Sequence, residues 1–169
     1  SDKLKKIVQL KKGASILVHP VKNPNRFGVV TLKKNKIINL AEKPKNTKSN
    51  LAITGLYFFD NSVIKKSFNI KKSKRNELEI IDLLKNYKKT NSLKVEHLGR
   101  GAAWLDAGTI DDFNQTSIFV SSIEKRQGFK IACLEEISLM NKWIDKNNIK
   151  KAISFYGNCE YSKYLKSLL

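Results

Sequence analysis

The stretch that most constrains this chain is Leu51-Ala52-Ile53-Thr54-Gly55-Leu56-Tyr57-Phe58-Phe59. It is β-branched and aromatic on both sides of Thr54-Gly55, so apolar side chains fall on both faces of an extended segment. A strand of that kind belongs in the middle of a sheet, with paired neighbours on either side. The rest of the chain supplies the neighbours. Residues 14–18 read as a short buried strand. Residues 27–32 and 37–41 flank Lys33-Lys34-Asn35-Lys36 as a hairpin, after a turn at Asn23-Pro24-Asn25-Arg26. Residues 93–98 alternate, with Lys94 and Glu96 outward, while residues 42–49 are polar, proline-broken and loop-like.

Helical spacing predicts the remaining elements. Ser1 can cap a first helix with Leu4, Ile7 and Val8 on one face, closed by Gly13. Asp60 caps a short helix to about Phe68, and residues 77–89 form a second with Leu78, Ile81 and Leu84 in register. Thr109, with Asp112 as its capping partner, opens a long helix over 109–127 that Gly128 ends. Helices over 134–145, 148–156 and 160–169 follow. Strands mixed with helices, then an all-helical tail, give an α/β or α+β fold class. No repeat or linker breaks 1–169, so one unit without an internal boundary is expected.

Composition narrows the function classes. The 169 residues are 41% hydrophobic, enough for a core, and no apolar run approaches the ~20 residues of a membrane span. Ser1-Asp2-Lys3-Leu4-Lys5-Lys6 leads into no apolar stretch, so a secretory signal is not expected. Cys133 and Cys159 have neither metal-ligand spacing nor a disulfide framework, which suits a reducing cytoplasm. The formal charge of +18 suggests nucleic acid, but arginine occurs only at 26, 75, 100 and 126, and the lysines lie in every segment rather than in one stripe. Neither nucleic acid nor a membrane is therefore expected as a partner. His19 and His97 receive no role.

One stretch carries chemistry. In Gly99-Arg100-Gly101-Ala102-Ala103-Trp104-Leu105-Asp106-Ala107-Gly108-Thr109, an apolar pair delivers the acid Asp106 to a small-residue turn before a helix. That is a way to place a metal ligand at the mouth of a sheet. Read from spacing alone, it is more readily a solvated turn acid.

The chain as a whole resembles the bacterial glucose-1-phosphate thymidylyltransferases. The resemblance rests on Arg26-Phe27-Gly28-Val29-Val30, Glu42-Lys43-Pro44, Thr54-Gly55-Leu56-Tyr57-Phe58-Phe59-Asp60 and Glu77-Leu78-Glu79-Ile80. To these it adds Gly99-Arg100-Gly101 with Trp104-Leu105-Asp106, and Ile123-Glu124-Lys125-Arg126-Gln127-Gly128. Six such stretches stand in the family's order. The resemblance implies part of a mixed Rossmann-like nucleotidyltransferase sheet with a helical C-terminal tail. It also implies that this is the C-terminal, sugar-binding portion. The family's N-terminal nucleotide-binding half, with its G-G-x-G-T-R-L loop and its own metal-binding aspartate, would then have to be supplied in cis or in trans.

The implied reaction joins dTTP to glucose 1-phosphate, giving dTDP-glucose and pyrophosphate, with Mg²⁺ as cofactor. Lys43 and Arg75 match the family's cations for the sugar phosphate, and Asp106 its Mg²⁺ ligand. Phe27, Gly28, Glu42, Ile53, Tyr57 and Trp104 match sugar-pocket positions. Gly99, Arg100, Glu136 and Ile137 match parts of a second, regulatory nucleotide site, where Met140 replaces a common arginine. Other departures are Phe27 for tyrosine, Ala107 for threonine, Asn76 for glycine and a hairpin one residue short. The resemblance further implies a homo-oligomer, a tetramer in the family, working in the cytoplasm in dTDP-rhamnose and cell-surface polysaccharide synthesis. Two alternatives stand beside it: a sibling enzyme using another nucleoside triphosphate, and an inactive fragment with an assembly role. A central strand stripped of neighbours also implies marginal stability for the isolated chain.

Overall fold

The computed structural model describes residues 7–169, so the start of the expected first helix, with its Ser1 cap and Leu4, lies outside the described residues. The sequence reading draws no internal boundary, whereas the structure resolves two compact units, Ser1–Trp104 and Leu105–Leu169.

The first unit is a five-stranded mixed sheet in the order β3-β2-β4-β1-β5. Its strands are β1 (Ala14–Pro20), β2 (Gly28–Lys33), β3 (Lys36–Glu42), β4 (Leu51–Phe59) and β5 (Leu93–His97). β4 is the middle strand, as its two-sided apolar pattern requires. It pairs antiparallel with β1 and β2, and β1 pairs parallel with β5. Its register against β1 is irregular: Ile16 faces Tyr57 and Val18 faces Ile53, so Leu17 spans three residues of β4, a bulge. At that bulge Gly55 and Leu56 are exposed, so burial of the strand is incomplete there.

The hairpin forms as expected, with Lys33 opposite Lys36 and positive φ at both Lys34 and Asn35, the geometry of a type I′ turn. The Asn23 turn is one turn of 3₁₀ helix over Pro24–Arg26.

Among the described residues this unit carries two further helices, α1 (Val63–Ser67) and α2 (Ile80–Lys89). α2 buries Ile81, Leu83, Leu84 and Tyr87. Ile81 and Leu84 join Ile16, Val18, Val30, Leu40 and Ile53 in the main core. Two sequence expectations need correction. Ser62, not Asp60, occupies the cap position of α1. The Asp60 carboxylate instead accepts bonds from the Gly13 amide at 2.6 Å, the Ser62 amide at 3.0 Å, the Ser62 hydroxyl at 2.5 Å and the Tyr87 hydroxyl at 3.0 Å. The second helix begins at Ile80, not Glu77. Asn76 takes positive φ, the Ser73 amide bonds the Glu77 carbonyl at 2.8 Å, and Leu78 bridges to Lys72. Those bonds commit the backbone to a tight turn.

The second unit is helical: α3 (Ile110–Gln127), α4 (Leu134–Met140), α5 (Lys146–Tyr156) and α6 (Glu160–Lys166). The Thr109 hydroxyl accepts the Asp112 amide at 3.1 Å, and Gly128 closes α3 in the left-handed conformation. α4 ends five residues short of expectation because Lys142 takes positive φ and Asp145 opens α5 with a reciprocal capping box to Asn148. Cys133, Ile149 and Leu165 form the core of this tail. Beside it, Tyr161 donates to Glu135 at 2.5 Å and its hydroxyl lies 3.2 Å from the Cys133 sulfur. Both cysteines are free. Among the described residues no helix is long and apolar enough to cross a membrane.

Candidate functional site

Ten of the expected site residues lie in the sheet unit, and five of them gather where the β2–β3 hairpin meets the turn before α2. Gly28 and Glu42 are register partners, and the Lys43 amide donates to the Phe27 carbonyl at 3.0 Å. Pairing of β2 with β3 therefore brings Phe27, Gly28, Glu42 and Lys43 together. Arg75 arrives from the tip of the Ser73–Glu77 turn, with Nη1 3.8 Å from Glu42 Oε1. Gly28 needs its missing side chain. An added Cβ would stand 3.0 Å from Ile81 Cδ1 and 3.3 Å from Glu42 Oε2, and Ile81 is fully packed. A cleft of about 400 Å³ opens here, lined by Glu42, Ser73, Lys74, Arg75, Glu79 and neighbouring residues of β3 and α2.

Aromatic residues cluster beside Gly28, around Phe27. Trp104 packs edge-on against Phe27 with ring centroids 5.1 Å apart, and its indole N–H donates to the Thr54 carbonyl at 3.1 Å. That bond uses a carbonyl at the β4 bulge, so the irregular register fixes the tryptophan. On the same strand, Tyr57 stacks on Phe59 with centroids 6.2 Å apart, and Ile53 is core. Burial, then the nearby Glu42 charge, pushes the Tyr57 hydroxyl above its ordinary range. Glu42 is also raised: burial is the largest cause and Glu79 adds to it, against the lowering pull of Lys43 and Arg75. A carboxylate tuned this way suits hydrogen bonding to hydroxyls, and the cations beside it suit an anion.

Sequence reading passes over two members of this cluster. Glu77 Oε2 lies 2.8 Å from Arg75 Nη2, and Glu79 Oε1 lies 3.5 Å from Arg75 Nη1 while accepting the Ser73 hydroxyl at 2.9 Å. The available signal is two glutamates at two and four residues beyond an arginine. Inside a helix, spacing of four would be a routine surface pair. In this turn it sets Glu77 and Glu79 on the guanidinium that Glu42 also reaches from β3.

Asp106 lies in the second unit, half-buried, with its carbonyl accepting the Thr116 hydroxyl at 3.2 Å. A Cβ on Gly108 would come 3.1 Å from its Oδ2, so the glycine leaves that carboxylate room. Among the described residues no group of three or more His, Cys, Asp or Glu could hold a metal alone. A single hard oxygen donor does fit a cation that takes one or two carboxylates and fills its shell with phosphate oxygens and water. The expected regulatory residues are split. Gly99 and Arg100 belong to the sheet unit, where the Ala102 amide closes a turn on the Gly99 carbonyl at 2.9 Å. Glu136 and Ile137 belong to the helical unit, where Glu136 accepts the Tyr164 hydroxyl at 2.6 Å. Met140 is exposed.

The mixed sheet is the α/β fold of solved nucleotidyltransferases. A solved structure described as a glucose-1-phosphate thymidylyltransferase from Bacillus anthracis, in complex with sucrose, matches 70% of this chain at a TM-score of 0.62 and 35% identity, over 47% of its own chain. The chain belongs to the nucleotidyl transferase family, whose model matches residues 1–122. Among curated relatives, the glucose-1-phosphate thymidylyltransferase of Neisseria meningitidis is 41% identical over 93% of this chain and 55% of its own length. That of Xanthomonas campestris is 37% identical over 99% of this chain and 57% of its own. The chain thus spans little more than half the length of the curated relatives it matches.

Proposed function

We propose that this chain is the sugar-phosphate-binding portion of a glucose-1-phosphate thymidylyltransferase. The observation that carries the reading is that strand pairing sets Gly28 opposite Glu42, next to Lys43, while a single tight turn brings Arg75 to Glu42, and these last two line one cleft. In this reading Lys43 and Arg75 hold the phosphate of glucose 1-phosphate, the lysine as a point charge and the arginine as a directional fork. Glu42 accepts bonds from sugar hydroxyls. Gly28 offers its backbone N–H at close range, and Phe27, Trp104, Tyr57 and Ile53 form the sugar's apolar surround. A phosphate oxygen of the sugar attacks the α-phosphorus of dTTP in line, and the bond to pyrophosphate breaks. The work asked of the protein is positioning and charge stabilisation, with no covalent intermediate.

Mg²⁺ would neutralise developing charge on the phosphates, and Asp106 is the residue of this chain we assign to it. The nucleotide-binding loop and the second metal carboxylate are assigned to family sequence outside these 169 residues, and turnover is assigned to the complete protein. Gly99, Arg100, Glu136 and Ile137 are kept as a regulatory site only in part, since Glu136 already serves Tyr164. Homo-oligomeric assembly, a cytoplasmic setting and supply of dTDP-glucose to dTDP-rhamnose and surface polysaccharide belong to the same proposal.

The test is release of pyrophosphate from dTTP that depends on glucose 1-phosphate, measured on the complete protein. Asp106→Asn is expected to lower turnover 10²-fold or more, the ~3 kcal/mol scale of losing one preorganised electrostatic group. Near-normal turnover in that variant would remove Asp106 from the metal. Faster turnover with UTP than with dTTP would move the protein to a sibling activity.

A further inference from the structure

Arg75 is surrounded by more negative charge than it needs. Three carboxylates, Glu42, Glu77 and Glu79, lie within 4 Å of one guanidinium, so these four groups sum to a formal −2, or −1 with Lys43, whose charge acts on Glu42. A phosphate bearing up to two negative charges cannot dock on that arrangement without one carboxylate giving way. The structure separates the three by how tightly each is held.

Glu79 has 12% of its side chain exposed, immediately precedes α2 and is pinned by the Ser73 hydroxyl. The same hydroxyl oxygen accepts the Arg75 amide at 3.1 Å, so Ser73 couples the anchor to the arginine's backbone. Glu42 has 22% of its side chain exposed and is fixed by strand pairing. Glu77 differs. Its backbone is held by the 2.8 Å bond from Ser73, but its side chain is 58% exposed and makes the shortest contact with the guanidinium, on Nη2.

We propose that Glu77 and Glu79 act on Arg75 in opposite senses, as two positioning residues of the sugar-phosphate site. The proposal rests on the reading of this cleft as the glucose 1-phosphate site. Glu77 occupies the outer edge of the guanidinium and is displaced when the phosphate takes that edge. Glu79 is the backstop that keeps the fork aimed, with or without substrate. The bond geometry a guanidinium offers a carboxylate is the one it offers a phosphate, so the exchange is of like for like. The solvent-exposed partner leaves at least cost, because water receives it.

Two neutral variants of one chemistry therefore have opposite signs. In the complete protein, at saturating dTTP and Mg²⁺, Glu77→Gln is expected to lower KM for glucose 1-phosphate about three- to tenfold, since the phosphate no longer competes with a carboxylate. Glu79→Gln is expected to raise KM tenfold or more, and Glu79→Asp to recover part of that loss. In each case the effect falls on KM rather than kcat, a division that loss of folded protein would not produce. Calorimetric titration with glucose 1-phosphate gives the same order of affinities.

An unchanged or weakened affinity in Glu77→Gln, or a shift of both glutamine variants in one direction, overturns the proposal. The exposed Glu77 arm decides the matter even where Glu79→Gln lowers the yield of folded protein. Wild-type protein that fails to bind glucose 1-phosphate overturns the reading of the cleft and this proposal with it. Wild-type binding with the wrong variant signs overturns this proposal alone.

Discussion

Asp60 shows what one carboxylate can do when its neighbours are all donors. It ties the Gly13 amide, the start of α1 and the Tyr87 hydroxyl together, linking the beginning of the sheet to α2. The Ser62 hydroxyl, then the Gly13 amide, lower its pKa from 3.8 to about 2, with Tyr87 adding to the effect and burial opposing it. For an acid whose folded pKa lies below its unfolded one, the sign is fixed. The stabilisation is complete above the unfolded value and is lost as pH falls from about 4 through about 2. Asp60→Asn should therefore be less stable than wild type at pH 6, with the difference shrinking towards pH 2, read by urea unfolding across that range. At this scale the sequence is legible where a residue type has few uses: Gly28, Glu42 and Lys43 stand out by resemblance, and strand pairing brings them together. Glu77, Glu79 and Asp60 do not stand out. Their partners are reached through a turn, a helix start and 27 to 47 residues of chain, and no local spacing records such contacts.

Elements are legible mainly through their ends. Thr109 and Gly128 mark α3 to within a residue because a cap and a left-handed stop are local chemistry. The start of α2 is not readable in this way. Leu78, Ile81 and Leu84 keep helical spacing across it, but the Lys72–Leu78 bridge and the positive φ of Asn76 draw Glu77 and Leu78 into the preceding turn. Tertiary pairing overrides periodicity there, and it is the override that presents Arg75 at a turn tip. The β2–β3 turn shows the reverse, a geometry met by an unsuitable residue. Lys34 holds φ 48° and Asn35 φ 62°, and lysine tolerates that region poorly. Replacing Lys34-Asn35 with Asn-Gly should stabilise the protein by about 0.5–1 kcal/mol, measured as a raised midpoint of chemical unfolding.

For the whole molecule, the main fact is the apolar surface of the helical unit. α3 buries no residue, and Ile110, Phe113 and Ile118 on it are 60–81% exposed, with Trp143 at 73% and Phe155 at 83% elsewhere in the tail. Isolated large apolar side chains on a surface are ordinary, but this concentration favours association. The 169-residue chain alone should run above its monomer mass of 19.3 kDa by light scattering and bind a hydrophobic dye, and monodisperse monomer without dye binding would contradict this. The sheet, by contrast, forms a well-packed core, and its strand order has a consequence during synthesis. β1 leaves the ribosome ahead of both its partners: β4 starts 31 residues beyond its end, and β5 73 residues beyond. At ~5–20 residues per second, its apolar edge facing β5 waits roughly 4–15 s for a partner while the β2–β3 hairpin closes at once. Ile16-Leu17-Val18 therefore lacks its β5 partner for 73 residues of synthesis, which makes that tripeptide a natural target for a ribosome-associated chaperone.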